Sequence, residues 1–161
     1  MSSHFTPPHD WPPNDHPTAG GAAVGLVTDL DPAAMLAVLY LRVWCDDGLD
    51  RVTEDFSLAL GQPHGTRAAA AFGALCTACL QSGRRPLMRH RSGCRCLGGD
   101  EACFAQLLTQ AATGDREDAL MLAMLMVRAD HAPGLVELAQ QSGLALYRMT
   151  LCDGPRGQAL H

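Results

Sequence analysis

The feature that most constrains the fold is the spacing of helix starts and stops between residues 31 and 143. Asp31-Pro32 pairs an N-cap residue with a proline at the first helical position, where a missing N–H costs nothing. The helix it opens, over about 32–46, has Met35, Leu36, Val38, Leu39, Tyr40, Leu41, Val43 and Trp44 spread over nearly every face. A helix apolar all round belongs in the middle of a fold. After Asp46-Asp47-Gly48, the residues Val52, Phe56, Ala59 and Leu60 recur at helical spacing as far as Gly61, a C′ glycine, and the opposite face is acidic.

From about 63 to 81 an alanine-rich run puts Ala68, Phe72, Leu75, Cys76, Cys79 and Leu80 on one stripe, with Gly83 as its stop. Pro86 predicts a short helical turn over 87–90 that ends at Ser92-Gly93, followed by a loop over 94–99. Asp100 is the expected cap of a helix to about 112, Asp115-x-x-Asp118 starts one over 119–128, and Asp130 starts one that Gly143 should end near 142. The segments 22–28 and 144–151 are short and tolerate strand, and could pair with each other as a minor two-stranded ribbon.

The fold class that follows is all-α: a single helical bundle of five or six main helices over residues 21–152, with the helices near 32–46 and 116–128 at its centre and an irregular metal-binding loop. A chain of 161 residues that is 47% hydrophobic suits one domain. A domain of this size buries roughly 70% of its unfolded surface, so it needs no disulfides to hold a core. The longest unbroken apolar stretches, 33–41 and 119–127, fall well short of the ~20 residues of a membrane span. No repeat at solenoid periods is visible.

Residues 1–20 hold five of the ten prolines together with His4, His9 and His16, and read as an extended or mobile arm that Phe5 and Trp11 could anchor. Residues 153–161 read as a flexible tail. Neither a secretory pattern nor a lipidation motif is present, which makes the cytoplasm the expected location. In a reducing compartment, seven cysteines with five of them between Cys76 and Cys103 suggest ligands or buried thiols over disulfides.

The chemistry concentrates in H-x3-C-x-C-x6-C: His90, Cys94, Cys96 and Cys103. Three thiolates and an imidazole suit tetrahedral Zn²⁺, and four protein ligands leave no open position, which defines a structural rather than a catalytic site. Gly93, Gly98 and Gly99 let the chain curl round an ion, and Asp100 as N-cap would set Cys103 at N3, where the helix dipole favours a thiolate. The leading C-x-C with a third cysteine is similar to the CDGSH-type [2Fe-2S] proteins over Cys94, Cys96 and Cys103. Here the third cysteine comes two residues earlier, Phe104 stands in place of the following Asp, and His90 precedes the cysteines. An iron-sulfur cluster is therefore the lesser alternative to zinc.

Cys76-x-x-Cys79 lies near the end of its helix on the apolar stripe, which favours buried core thiols over a redox pair, although either could replace His90 as a ligand. Cys45 and Cys152 read as packing or surface thiols, and His64 and His131 as surface residues. All twelve basic residues are arginine, five of them between Arg84 and Arg95, in a chain of net charge −5. Arg89, Arg91 and Arg95 could balance a thiolate-rich centre. Alternatively, Arg84, Arg85, Arg89, Arg91 and Arg95 could bind nucleic acid or phosphate, or could pair with the acidic run Asp46, Asp47, Asp50, Glu54 and Asp55, whose plainer reading is a solvated helix face.

No nucleotide-binding, hydrolase, metalloprotease or dinucleotide motif occurs. The expected function is a non-enzymatic zinc-binding module that binds a partner protein or a second copy of itself. The alternatives are a nucleic-acid or phosphate-binding regulator and a thiol redox sensor.

Overall fold

A computed structural model describes residues 20–153; the expected arm and tail lie outside the described residues, apart from Gly20 and Asp153. The helices are α1 (Pro32–Asp47), α2 (Leu49–Leu60), α3 (Gln62–Gln81), α4 (Gly99–Thr113), α5 (Arg116–Met126) and α6 (Ala132–Asp153). Two short strands, β1 (Ala23–Leu26) and β2 (Cys96–Gly98), pair antiparallel with Leu26 opposite Cys96, and a bulge interrupts the register between Ala23 and Gly25. The all-α bundle with a minor ribbon is the observed architecture.

The starts of α1 and α5 follow from side-chain caps. Asp31 accepts from the Ala34 N–H at 3.0 Å, and Asp115 from the Glu117 N–H at 2.6 Å. Gly48 and Gly61, with φ of 86° and 83°, take the left-handed backbone that ends one helix and begins the next. The core is an aromatic line through three elements, Phe56 to Phe72 to Phe104, with ring centroids 5.8 and 6.0 Å apart and Tyr40 edge-on to Phe56 at 5.0 Å.

Four expectations are corrected. First, α6 runs unbroken through Gly143 and absorbs 144–151, so the partner of β1 is β2 in the loop region. Gly143 is not a stop but a contact: a Cβ there would overlap the Leu108 carbonyl oxygen and lie 2.9 Å from the Ala112 Cβ. The bare glycine lets α6 lie close against α4. Second, the central helix is α6, which touches all five others through Leu135, Val136, Ala139, Ser142 and Leu146. By contrast, α5 buries only Ala119 and Ala123 and leaves Met121 and Leu125 exposed. Small residues on one stripe of α5 decide which way it faces, whatever its total hydrophobicity.

Third, residues 86–90 form no helical turn, and two of their N–H groups are taken by carboxylates of another element: Met88 donates to Asp100 at 2.8 Å and His90 to Glu101 at 3.0 Å. Fourth, the N-cap of α4 is Gly98, so Glu101 is at N3 and reaches back to the Gly98 N–H at 2.9 Å. Cys103 is then two positions further into the helix than expected and loses the strongest part of the dipole.

Candidate metal and thiol site

The segment between α3 and β2 is held by three carboxylates. Asp46, at the end of α1, accepts from Arg89 at 2.7 Å and from the Ser92 hydroxyl at 2.6 Å. These two bonds, Ser92 first, hold its carboxyl below the ordinary aspartate range. In the first turn of α4, Asp100 takes both arms of Arg85, at 2.8 and 2.5 Å, together with the Met88 N–H. Gly20 packs its backbone onto this pair, since a Cβ there would overlap both the carboxylate and the guanidinium. Arg84 donates to the Met124 and Val127 carbonyls at 2.6 and 3.1 Å.

The third carboxylate lies deepest. Glu101 and Arg42 are 0% and 1% exposed, a placement that burial would forbid to either charge alone. Arg42 donates from Nε to Oε1 at 2.7 Å and from Nη2 to Oε2 at 2.8 Å. Its remaining reach goes to the backbone: Nη1 to the Cys94 carbonyl at 2.6 Å and Nη2 to the Cys96 carbonyl at 2.7 Å. Burial pushes the Glu101 carboxyl up, but the Arg42 hydrogen bond, the Gly98 and His90 N–H groups and the Arg42 charge outweigh it and leave the group below its usual value. The Glu101 hydrogen bond raises Arg42 against burial in turn.

This knot fixes the backbone of the C-x-C loop and leaves its side chains to one another. The Cys94 Sγ lies 3.9 Å from His90 Nδ1. The neighbouring Cys94 thiol, more than burial, pushes the Cys96 thiol up against the Arg42 charge. His90 Nε2 is buried without a partner among the described residues, with its ring edge against Gly98: a Cβ there would sit 3.1 Å from Cδ2. The orphaned Nε2 lies against Gly98, on the other side of the ring from the Nδ1 that faces Cys94.

Cys103 stands apart. It is two residues on from Glu101, about 200° round the helix, and lines a cavity of about 330 Å³ with Cys79, Arg85 and Asp100. Burial raises its thiol, with the Asp100 charge adding to the shift. Among the described residues no group of three or more His, Cys, Asp or Glu side chains is arranged to hold a metal ion.

Cys76 and Cys79 are core residues, 0% and 2% exposed. Burial pushes Cys79 up to about 12 and Cys76 well above the ordinary thiol value. Of the five clustered arginines, Arg84, Arg85 and Arg89 are engaged with this chain's own oxygens. Arg91 and Arg95 are exposed, with no side-chain partner among the described residues. The acidic run is divided in the same way: Asp46 is part of the clamp, while Glu54 and Asp55 pair with Arg51 on the surface of α2.

Sequence reading missed Arg42. Its signal was an arginine in the midst of an otherwise apolar central helix, which demands a buried carboxylate elsewhere in the chain. No known protein family, characterised protein or solved structure matches this chain. Among the described residues no helix is long and apolar enough to cross a membrane.

Proposed function

We propose that this chain is a non-enzymatic helical interaction module whose C-x-C loop takes up one Zn²⁺ through His90, Cys94 and Cys96. The observation that carries the reading is the division of labour at the loop. Arg42 grips the carbonyls of both cysteines, while the Cys94 thiol faces the His90 imidazole. A tetrahedral zinc separates a sulfur and a nitrogen ligand by roughly 3.6 Å, which is close to the spacing of Cys94 and His90. Cys94 and His90 make one such pair, and the zinc reading requires the Cys96 thiol to turn to the same point. A partner protein or a second copy of this chain would supply the fourth ligand and close the site, since Cys103 lines another cavity.

The C-x-C spacing of Cys94 and Cys96, both free thiols, favours a second reading, a reversible Cys94–Cys96 disulfide. The pair would give two electrons and two protons to a hydroperoxide, which leaves as water and an alcohol, or as two waters from hydrogen peroxide.

Elemental analysis of the untagged full chain tests both readings. One equivalent of zinc that is lost in Cys96→Ser and kept in Cys103→Ser is the expected result. A metal-free protein that forms the Cys94–Cys96 disulfide under mild peroxide, seen by peptide mass spectrometry, replaces the first reading with the second. Neither metal nor disulfide refutes both.

A further inference from the structure

The N-terminal half of α3 and the C-terminal half of α6, with Leu60 of α2, line a groove of about 460 Å³. The buried Ala71 and Ala145 form its apolar floor, Leu60, Ala68 and the exposed Leu144 flank it, and Arg67, Arg148 and His64 are exposed at its edge. We infer that this groove binds a small amphipathic organic anion of the fatty-carboxylate class, its headgroup between Arg67 and Arg148 and its apolar limb along Leu60 and Leu144.

Three independent observations point to this ligand. The first is the state of the arginines. Arg42, Arg51, Arg84, Arg85, Arg89 and Arg116 all reach oxygens of this chain, whereas Arg67 and Arg148, like Arg91 and Arg95, have no side-chain partner among the described residues, and Arg67 and Arg148 line one groove together. In a chain of net charge −5 no carboxylate lines the groove to answer them.

The second is the helix end. The 20-residue α3 begins at Gly61 without a side-chain cap, and Pro63 in its first turn has no N–H. The positive end of the macrodipole therefore lies beside His64, the third residue of the helix, with Arg67 almost a turn further in. An anion at that end is favourable for the helix.

The third is size and lining. The volume falls among sites that hold small molecules, and a largely apolar wall with a few convergent polar groups is the usual make-up of such a site. The groove shares no residue with the C-x-C loop, so it stands or falls separately from the zinc reading.

Calorimetric titration of the full chain with decanoate below its micellar range tests the inference, with acetate and 1-decanol as the head-only and tail-only probes. One saturable site is expected for decanoate, with decanol weaker by about tenfold or more, the worth of one charge-assisted hydrogen bond, and acetate weaker by at least as much through loss of the apolar limb. Arg67→Gln with Arg148→Gln should weaken decanoate by a similar factor at unchanged melting temperature, and Leu144→Glu should abolish it. Equal binding of decanol, binding unchanged in the double variant, or no saturable binding would overturn it.

Discussion

Glu101 answers to three parts of the molecule at once: Arg42 on α1, the His90 N–H in the extended segment and the Gly98 N–H at the start of α4. Replacing it with glutamine keeps the shape but leaves the Arg42 charge buried without its counter-ion. Glu101→Gln should cost about 3–5 kcal/mol in urea unfolding. Many buried ion pairs can be exchanged for apolar residues at little loss, because each partner satisfies only the other. Here that exchange should fail. In Arg42→Met with Glu101→Leu the Cys94 and Cys96 carbonyls and the two N–H groups lose their partners, and the double variant should stay destabilised by several kcal/mol. A double variant as stable as the parent would show that the knot is dispensable. At this scale sequence reading found the thiols and the imidazole, which bear their chemistry in their type. It did not find the pair that holds them, because partners 59 residues apart leave no local pattern.

Helix starts were legible wherever a side chain does the capping, as at Asp31 and Asp115, and so were the stops at Gly48 and Gly61, which need positive φ. Gly143 misled because a glycine can serve either of two needs, backbone freedom or absence of volume, and one sequence does not tell them apart. Two glycines of α6 give a test. Gly134 is exposed with nothing near its missing Cβ, so Gly134→Ala should stabilise by up to about 1 kcal/mol through helix propensity. Gly143→Ala, against the Leu108 carbonyl, should cost about 1–3 kcal/mol instead. Thermal melts of both variants check the opposite signs, and two gains would remove the close α4–α6 contact. The ribbon was half legible for a related reason. Residues 22–28 looked like strand, but the partner was hidden in a three-residue stretch too short to show a period.

For the whole molecule, three carboxylates tie a segment with little regular structure onto the bundle, and this makes stability depend on pH in a definite direction. Glu101 and Asp46 titrate below their ordinary values of 4.5 and 3.8 in the folded chain. Their contribution is therefore complete above about pH 4.5 and is lost as the pH falls through the depressed folded values. Urea midpoints should be level from neutral pH to about 5 and fall below that, with a shallower fall in Glu101→Gln. Equal slopes for the two proteins would show that the knot takes no part in acid unfolding.

The position of α6 has a further consequence, in time. The helix that all five others pack against is also the last of the described elements to leave the ribosome. At ordinary synthesis rates its 22 residues take roughly one to four seconds to make. Until then α1 to α5 have no common partner, and the apolar stripes of α3 and α4 stand open to solvent and to neighbouring chains. A nascent chain of this kind gains little by folding early: it needs shelter first and then closes in one late step, when α6 arrives.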